Sequence, residues 1–173
     1  MNAVTGTRSP RQPCLSVIIP AWNEAAELPL TLAALDRAVD ACGRTVEYVV
    51  VDNGSTDTTA SVAADSGARV VHEPERRISR ARNAGADAAR APALLFLDAD
   101  TRPQPQHVAA VLAALDSGWA GGGAPIALDP PPAGPAAIGL RAWNGIAARC
   151  GLAAGGFLFA CRQLHDDIGG FVA

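Results

Sequence analysis

Apolar residues along the chain follow two alternating patterns. Short, continuous and often β-branched runs at 15–20, 46–51, 68–72 and 94–97 read as strands. After the first run, Leu28, Leu32, Leu35, Val39 and Cys42 follow at steps of four, three, four and three, which is one face of a helix. Pro29 is tolerated only in a first helical turn, so that helix is expected to start close to residue 27. A second helix is expected after the turn at Gly54, with Ser55 placed to cap it and Asp57 suited to its positive end. A third is expected over about 79–90. A fourth, opened by Pro103, carries Val108, Val111, Leu112 and Leu115. Farther on, 136–149 is weakly helical, 156–161 reads as a strand, and 163–168 reads as a short helix stopped by Gly169 and Gly170. Strands alternating with helices predict an α/β fold with a mostly parallel sheet.

The run Leu94-Leu95-Phe96-Leu97 is expected to be buried on both faces, and it ends in Asp98-Ala99-Asp100. Residues two apart on an extended strand face the same side, which would hold the two carboxylates at roughly 6–7 Å. At ~6 Å and an effective dielectric of ~20 two such charges repel by about 3 kcal/mol, a cost that a divalent cation reverses. Ligands of open α/β sheets bind beyond the carboxyl ends of the strands, where these acids, Asp52 and Glu24 all fall. The pair therefore predicts a hard-cation site with positions left open for phosphate oxygens, the alternative being that Asp98 ends the strand and Asp100 caps the helix opening near Pro103.

Composition narrows the alternatives. All fourteen basic residues are Arg, which excludes a P-loop lysine, a Schiff-base lysine and the lysine of a receiver domain. A net charge of −3 gives no general attraction to nucleic acid or anionic membrane. Cys14, Cys42, Cys150 and Cys161 form no C-x-x-C pair, the expectation for a reduced, cytoplasmic protein. No apolar run approaches the ~18–20 residues of a membrane span. The first thirteen residues read as a disordered leader, and 14–173 as a single domain. The three histidines are isolated from one another, which reads as surface or core residues and not as metal ligands.

Arg76, Arg77, Arg80 and Arg82 crowd the start of the third helix, where each opposes the dipole by roughly 0.3–1 kcal/mol. Two readings stay open at this stage. One is an anion shared with the helix terminus, and the other is ion pairing with Glu73 and Glu75.

Five stretches taken together resemble the family 2 glycosyltransferases: Val17-Ile18-Ile19-Pro20-Ala21-Trp22-Asn23-Glu24, Val50-Val51-Asp52-Asn53-Gly54-Ser55-Thr56-Asp57, Arg80-Ala81-Arg82-Asn83-Ala84-Gly85, Leu97-Asp98-Ala99-Asp100 (an Asp-x-Asp motif) and Gly169-Gly170-Phe171. They run in family order over residues 15 to 171. The resemblance implies the GT-A fold, a three-layer α/β/α arrangement, with a nucleotide-sugar half at 14–128 and a partial acceptor half at 129–173. It implies that Pro20, Ala21, Trp22 and Glu24 line a nucleoside pocket, with Trp22 against the base and Asp52 on the base or ribose. Asp98 is then expected at the ribose or metal, and Asp100 as the main ligand of Mn²⁺ or Mg²⁺. Arg82 is expected near the diphosphate. The implied activity is inverting transfer of a sugar from a nucleotide diphosphate-sugar to an acceptor hydroxyl of a saccharide, lipid or small molecule.

Two departures from the family pattern stand out. Asp52-Asn53 replaces a pair of acids, and the chain reads Gly169-Gly170-Phe171-Val172-Ala173 where relatives continue with acids, so the general base is expected beyond residue 173. Asp166 and Asp167 precede the glycines and are not favoured for that role. A non-catalytic nucleotide-sugar-binding remnant is the alternative. A nucleotidyltransferase is disfavoured because residues 20–27 contain neither glycine nor a basic residue.

Overall fold

The computed structural model describes residues 12–125, 127, 130–150 and 156–172. Most of the expected leader, Asp129 of the expected break at 129–132, and Ala173 lie outside the described residues. The elements run β1 (Leu15–Ala21), α1 (Leu28–Cys42), β2 (Val46–Asp52), α2 (Thr59–Asp65), β3 (Arg69–His72), α3 (Ile78–Ala88), β4 (Ala93–Leu97), α4 (Pro105–Asp116), β5 (Gly121–Gly123), α5 (Pro135–Cys150), β6 (Phe157–Cys161) and α6 (Arg162–Asp167). They build one six-stranded sheet of order β3-β2-β1-β4-β6-β5. The first four strands are parallel, whereas β6 runs antiparallel to β4 and β5 antiparallel to β6.

Alternation along β1 assigns the two layers. Val17 and Ile19 join Val50, Leu95 and Leu97 in a core closed by Leu28, Leu32 and Leu35 of α1, Ala63 of α2, and Val108 and Leu112 of α4. On the opposite face Ile18, Val49, Val51, Leu94 and Phe96 meet Ala81 and Ala86 of α3. β4 is covered on both faces, with Leu94, Leu95 and Leu97 at 0% exposure, as its unbroken apolar run predicts. Among the described residues no helix is long and apolar enough to cross a membrane.

Three local expectations fail, two because another residue takes the part and one because the strand ends early. Ser55 does not cap α2. Its backbone N–H bonds Asp52, its hydroxyl accepts the Asn23 N–H, and Asp57 accepts the N–H of Thr59 instead. Pro103 does not open α4, which starts at Pro105 after Gln104, whose cap is reciprocated by His107. Asp98 and Asp100 are not extended, because β4 ends at Leu97 and the chain turns with Thr101 N–H on the Asp98 carbonyl at 3.0 Å. The same-face spacing drawn from a strand therefore does not apply to that pair.

The triple glycine passes close to a neighbour, as expected. A Cβ at Gly122 would stand 2.8 Å from the Phe159 ring.

Candidate functional site

The sheet opens where β1 and β4 end. Their ladder stops at the pair Ile18 and Phe96, and Pro20, two residues on, has no N–H to continue it. The strand order reverses at this point, where open α/β sheets leave a crevice. Here a cleft of about 420 Å³ is lined by Pro20, Ala21, Trp22, Glu24, Asn53, Arg76, Ile78, Arg82, Asp98, Ala99 and Asp100. Seven of the sequence-derived site residues thus share one cleft. Asp52 does not line it: its Oδ1 accepts the Ser55 N–H at 3.1 Å, and its Oδ2 faces His72 Nδ1 at 3.1 Å.

Each wall is held by a tertiary bond. The turn carrying Asp98 and Asp100 is pinned from α1, where the buried Thr31 hydroxyl donates to the Ala99 carbonyl at 2.6 Å. The turn after β1 is laced to the loop after β2. Asn23, with φ of 56°, accepts Thr56 N–H at 2.8 Å, and Glu24 N–H donates to the Thr59 hydroxyl at 2.8 Å. That hydroxyl in turn donates to Asp57, which is the main reason the Asp57 carboxyl sits below the ordinary aspartate range. A depressed acid contributes stability above its unfolded pKa and loses it as pH falls through the folded value. Asp57→Asn should therefore lower the urea midpoint at pH 7, and its gap from wild type should close as pH falls below about 4. A gap that stays constant from pH 7 to pH 2.5 would assign the effect to something other than the ionised carboxylate.

The arginine cluster divides between the two readings. Arg77 pairs with Glu75 at 3.0 Å, and Arg80 reaches Glu73 at 3.5 Å and Glu75 at 3.3 Å. Those two belong to the surface. Arg76 and Arg82 face the cleft. The Arg76 guanidinium lies 3.6 Å above the Trp22 ring, and Arg82 Nη2 donates to Asp98 Oδ1 at 3.1 Å. Arg82 Nε is buried without a hydrogen-bond partner among the described residues, a cost that calls for an explanation.

Electrostatically the acids are not equivalent. Asp98 is neutralised by Arg82, whereas Asp100 is exposed and makes no ion pair among the described residues. Burial, and after it the charge of Asp100, push the Glu24 carboxyl above its ordinary range. Glu24 and Asp100 thus stand close enough to repel, in a cleft that Arg76 and Arg82 also line. Among the described residues no three His, Cys, Asp or Glu side chains gather around a point. A hard cation held by one or two carboxylates and completed by phosphate oxygens fits this donor set.

Asn53 and Gly156 carry roles the sequence does not announce. Asn53 donates through Nδ2 to the carbonyls of Glu73 (2.9 Å) and Glu75 (2.7 Å), so it holds the loop that presents Arg76. An aspartate there would set charge against two carbonyl oxygens, which explains an amide in place of a second acid. Gly156 accepts the Asp98 N–H at 3.0 Å, and a Cβ on it would fall 2.4 Å from Asp98 Oδ2. The carboxylate occupies the space that any other residue at 156 would fill.

Comparison with known proteins identifies the family and the fold. The model for "Glycosyl transferase family 2" matches residues 16–126. Validoxylamine A glucosyltransferase of Streptomyces hygroscopicus subsp. jinggangensis is 44% identical over 108 residues, covering 59% of this chain and 25% of that protein. A mannosyltransferase from Pyrobaculum calidifontis, solved with GDP-Man and Mn²⁺, superposes with a TM-score of 0.69 at 23% identity over 93% of this chain and 48% of its own. Glucosyl-3-phosphoglycerate synthase from Mycobacterium tuberculosis, solved with Mn²⁺, UDP-glucose and phosphoglyceric acid, gives a TM-score of 0.62 at 28% identity over 88% and 57%. The chain spans 25% of the first relative's length and 48% and 57% of the two solved chains.

Proposed function

Because the chain belongs to glycosyl transferase family 2 and has the GT-A architecture, we propose that its cleft binds a nucleotide diphosphate-sugar as the donor for transfer to an acceptor hydroxyl. The observation that carries this reading is that one cleft gathers Asp100, without an ion pair among the described residues, together with Arg82 and Arg76. Trp22, exposed with the Arg76 guanidinium over one face of its ring, offers the base a flat stacking partner, and Arg82 with Asp98 faces the ribose and diphosphate. Asp100, with Asp98 beside it in the turn, would hold Mn²⁺ or Mg²⁺. Such an ion, when bound, neutralises the charge that develops on the leaving diphosphate.

In the proposed reaction the acceptor oxygen forms its bond to the anomeric carbon from the face opposite the departing diphosphate, so the configuration inverts. Residues 14–128 form the donor half, and 129–173 contribute part of the acceptor side. Asp166 and Asp167 are exposed on α6, do not line the cleft, and are not assigned the acceptor's base.

Calorimetric titration with UDP and with GDP tests the reading. One of them should bind in the presence of Mn²⁺, and chelation should weaken it by about tenfold or more. Affinity that is the same with and without chelator would overturn the metal's part. No binding of either nucleotide would overturn the donor site.

A further inference from the structure

Asn83 and Phe171, two motif residues to which the donor reading gives no task, meet in the folded chain. The Asn83 carboxamide donates Nδ2–H to the Phe171 carbonyl at 2.9 Å and accepts the Phe171 N–H on Oδ1 at 2.9 Å, across 88 residues of sequence. One side chain thus satisfies both backbone groups of a single distant residue. The approach requires Gly170, whose φ is 72° and whose added Cβ would stand 2.7 Å from Asn83 Oδ1. Clamped in this way, the Phe171 ring meets Phe96 of β4 edge to face at 4.8 Å, with His165 of α6 beside both rings. The guanidinium of Arg82 lies 5.1 Å from the centroid of that same ring.

The contacts form one line from the core to the cleft. Phe96 is anchored in β4 at 2% exposure, Phe171 packs on it, Arg82 lies against Phe171, and Arg82 holds Asp98. Arg82 is the neighbour of Asn83 in α3, so the residue that clamps Phe171 is adjacent to the one that Phe171 covers. A four-torsion side chain whose buried Nε has no hydrogen-bond partner among the described residues would not keep this pose without a surface to lie on.

We propose that Asn83 and Phe171 are positioning residues that hold the Arg82 guanidinium toward Asp98 and the cleft, so that Arg82 meets an incoming diphosphate already oriented. The diphosphate part rests on the donor reading above, while the orientation of Arg82 does not. A purely packing role for the clamp would change stability alone, and the double-mutant and exchange measurements below separate the two.

The test uses the full chain with Phe171→Leu, Asn83→Ala and the conservative Phe171→Tyr, each checked for folding by thermal melting. In ¹⁵N-resolved spectra the Arg82 Nε–H, identified by its loss in Arg82→Lys, should exchange slowly in wild type and in Phe171→Tyr. It should exchange about tenfold faster in Phe171→Leu and Asn83→Ala. With Mn²⁺ present, those two variants should lose about threefold to tenfold in affinity for UDP or GDP, whichever wild type binds, and keep their affinity for the parent nucleoside. In the Arg82→Lys background Phe171→Leu should cost nothing further. Unchanged Nε–H exchange overturns the proposal whether or not nucleotide binds. Equal losses for nucleoside and diphosphate, or losses that add to that of Arg82→Lys, overturn it as well. Absence of nucleotide binding by wild type refutes the donor reading and leaves the exchange measurement to decide the orientation of Arg82.

Discussion

Asp100→Asn should lower the Mn²⁺-supported affinity for UDP or GDP by about a hundredfold while leaving the melting temperature nearly unchanged. The side chain is exposed and has no ion-pair partner among the described residues, so the fold loses little with its charge. Surface changes of this kind stay within about 0.5 kcal/mol. Binding, in contrast, loses the cleft carboxylate on that turn that no arginine neutralises among the described residues. Outer-shell partners of metal ligands already cost about 10–100-fold in affinity when removed, and a ligand is expected to cost at least the upper end of that range.

Asp98→Asn is the informative contrast. It removes the charge facing Arg82, whose side chain is only 14% exposed, and so should lower stability as well as affinity. Calorimetric titration beside thermal melting reads both quantities. Equal affinity in Asp100→Asn and wild type would remove Asp100 from the metal site.

Gly85→Ala should destabilise the protein by about 1–3 kcal/mol, although glycine to alanine inside a helix ordinarily stabilises by about 1 kcal/mol. Gly85 lies within α3, and a Cβ there would fall 2.4 Å from Ile18 Cγ2 and 2.9 Å from Val51 Cγ2. Both neighbours are at 0% exposure in the sheet, where packing leaves no room to give way. Relief requires α3 to move off the sheet. For a chain of this size the corresponding fall in melting temperature is about 2–12 °C. Arg82 stands one turn earlier on α3, so the same displacement carries its guanidinium away from Asp98 and should weaken diphosphate binding in parallel. A melting temperature equal to or above that of wild type would show that the helix is not seated as tightly as its contacts imply.

The parallel strands were legible as apolar runs, and the run at 94–97, buried on both faces, became β4 with Ala93 added, whereas β5, three glycines without an apolar run, was not read as a strand. α1 was legible because Pro29 and the spacing from Leu28 to Cys42 are local properties, and the helix begins at Leu28. The acids of the site were legible by their place after strands, since the parallel order β2-β1-β4 brings those strand ends to one edge.

Which acid stays free was decided elsewhere. Arg82 arrives from α3 to neutralise Asp98, and Thr31, 68 residues before Ala99, closes the turn that separates Asp98 from Asp100. Ser55 lost its capping role to a partner 32 residues away, Asn23, and Asn53 was chosen as an amide by two carbonyls of a loop 20 and 22 residues on. The clamp between Asn83 and Phe171 spans half the chain. Periodicity reports how a segment meets the average environment of an inside and an outside, a property of each residue and its near neighbours. An ion pair or a hydrogen bond depends instead on a separation of about 3 Å between particular atoms, and that distance exists only after the register of the sheet has placed the segments side by side.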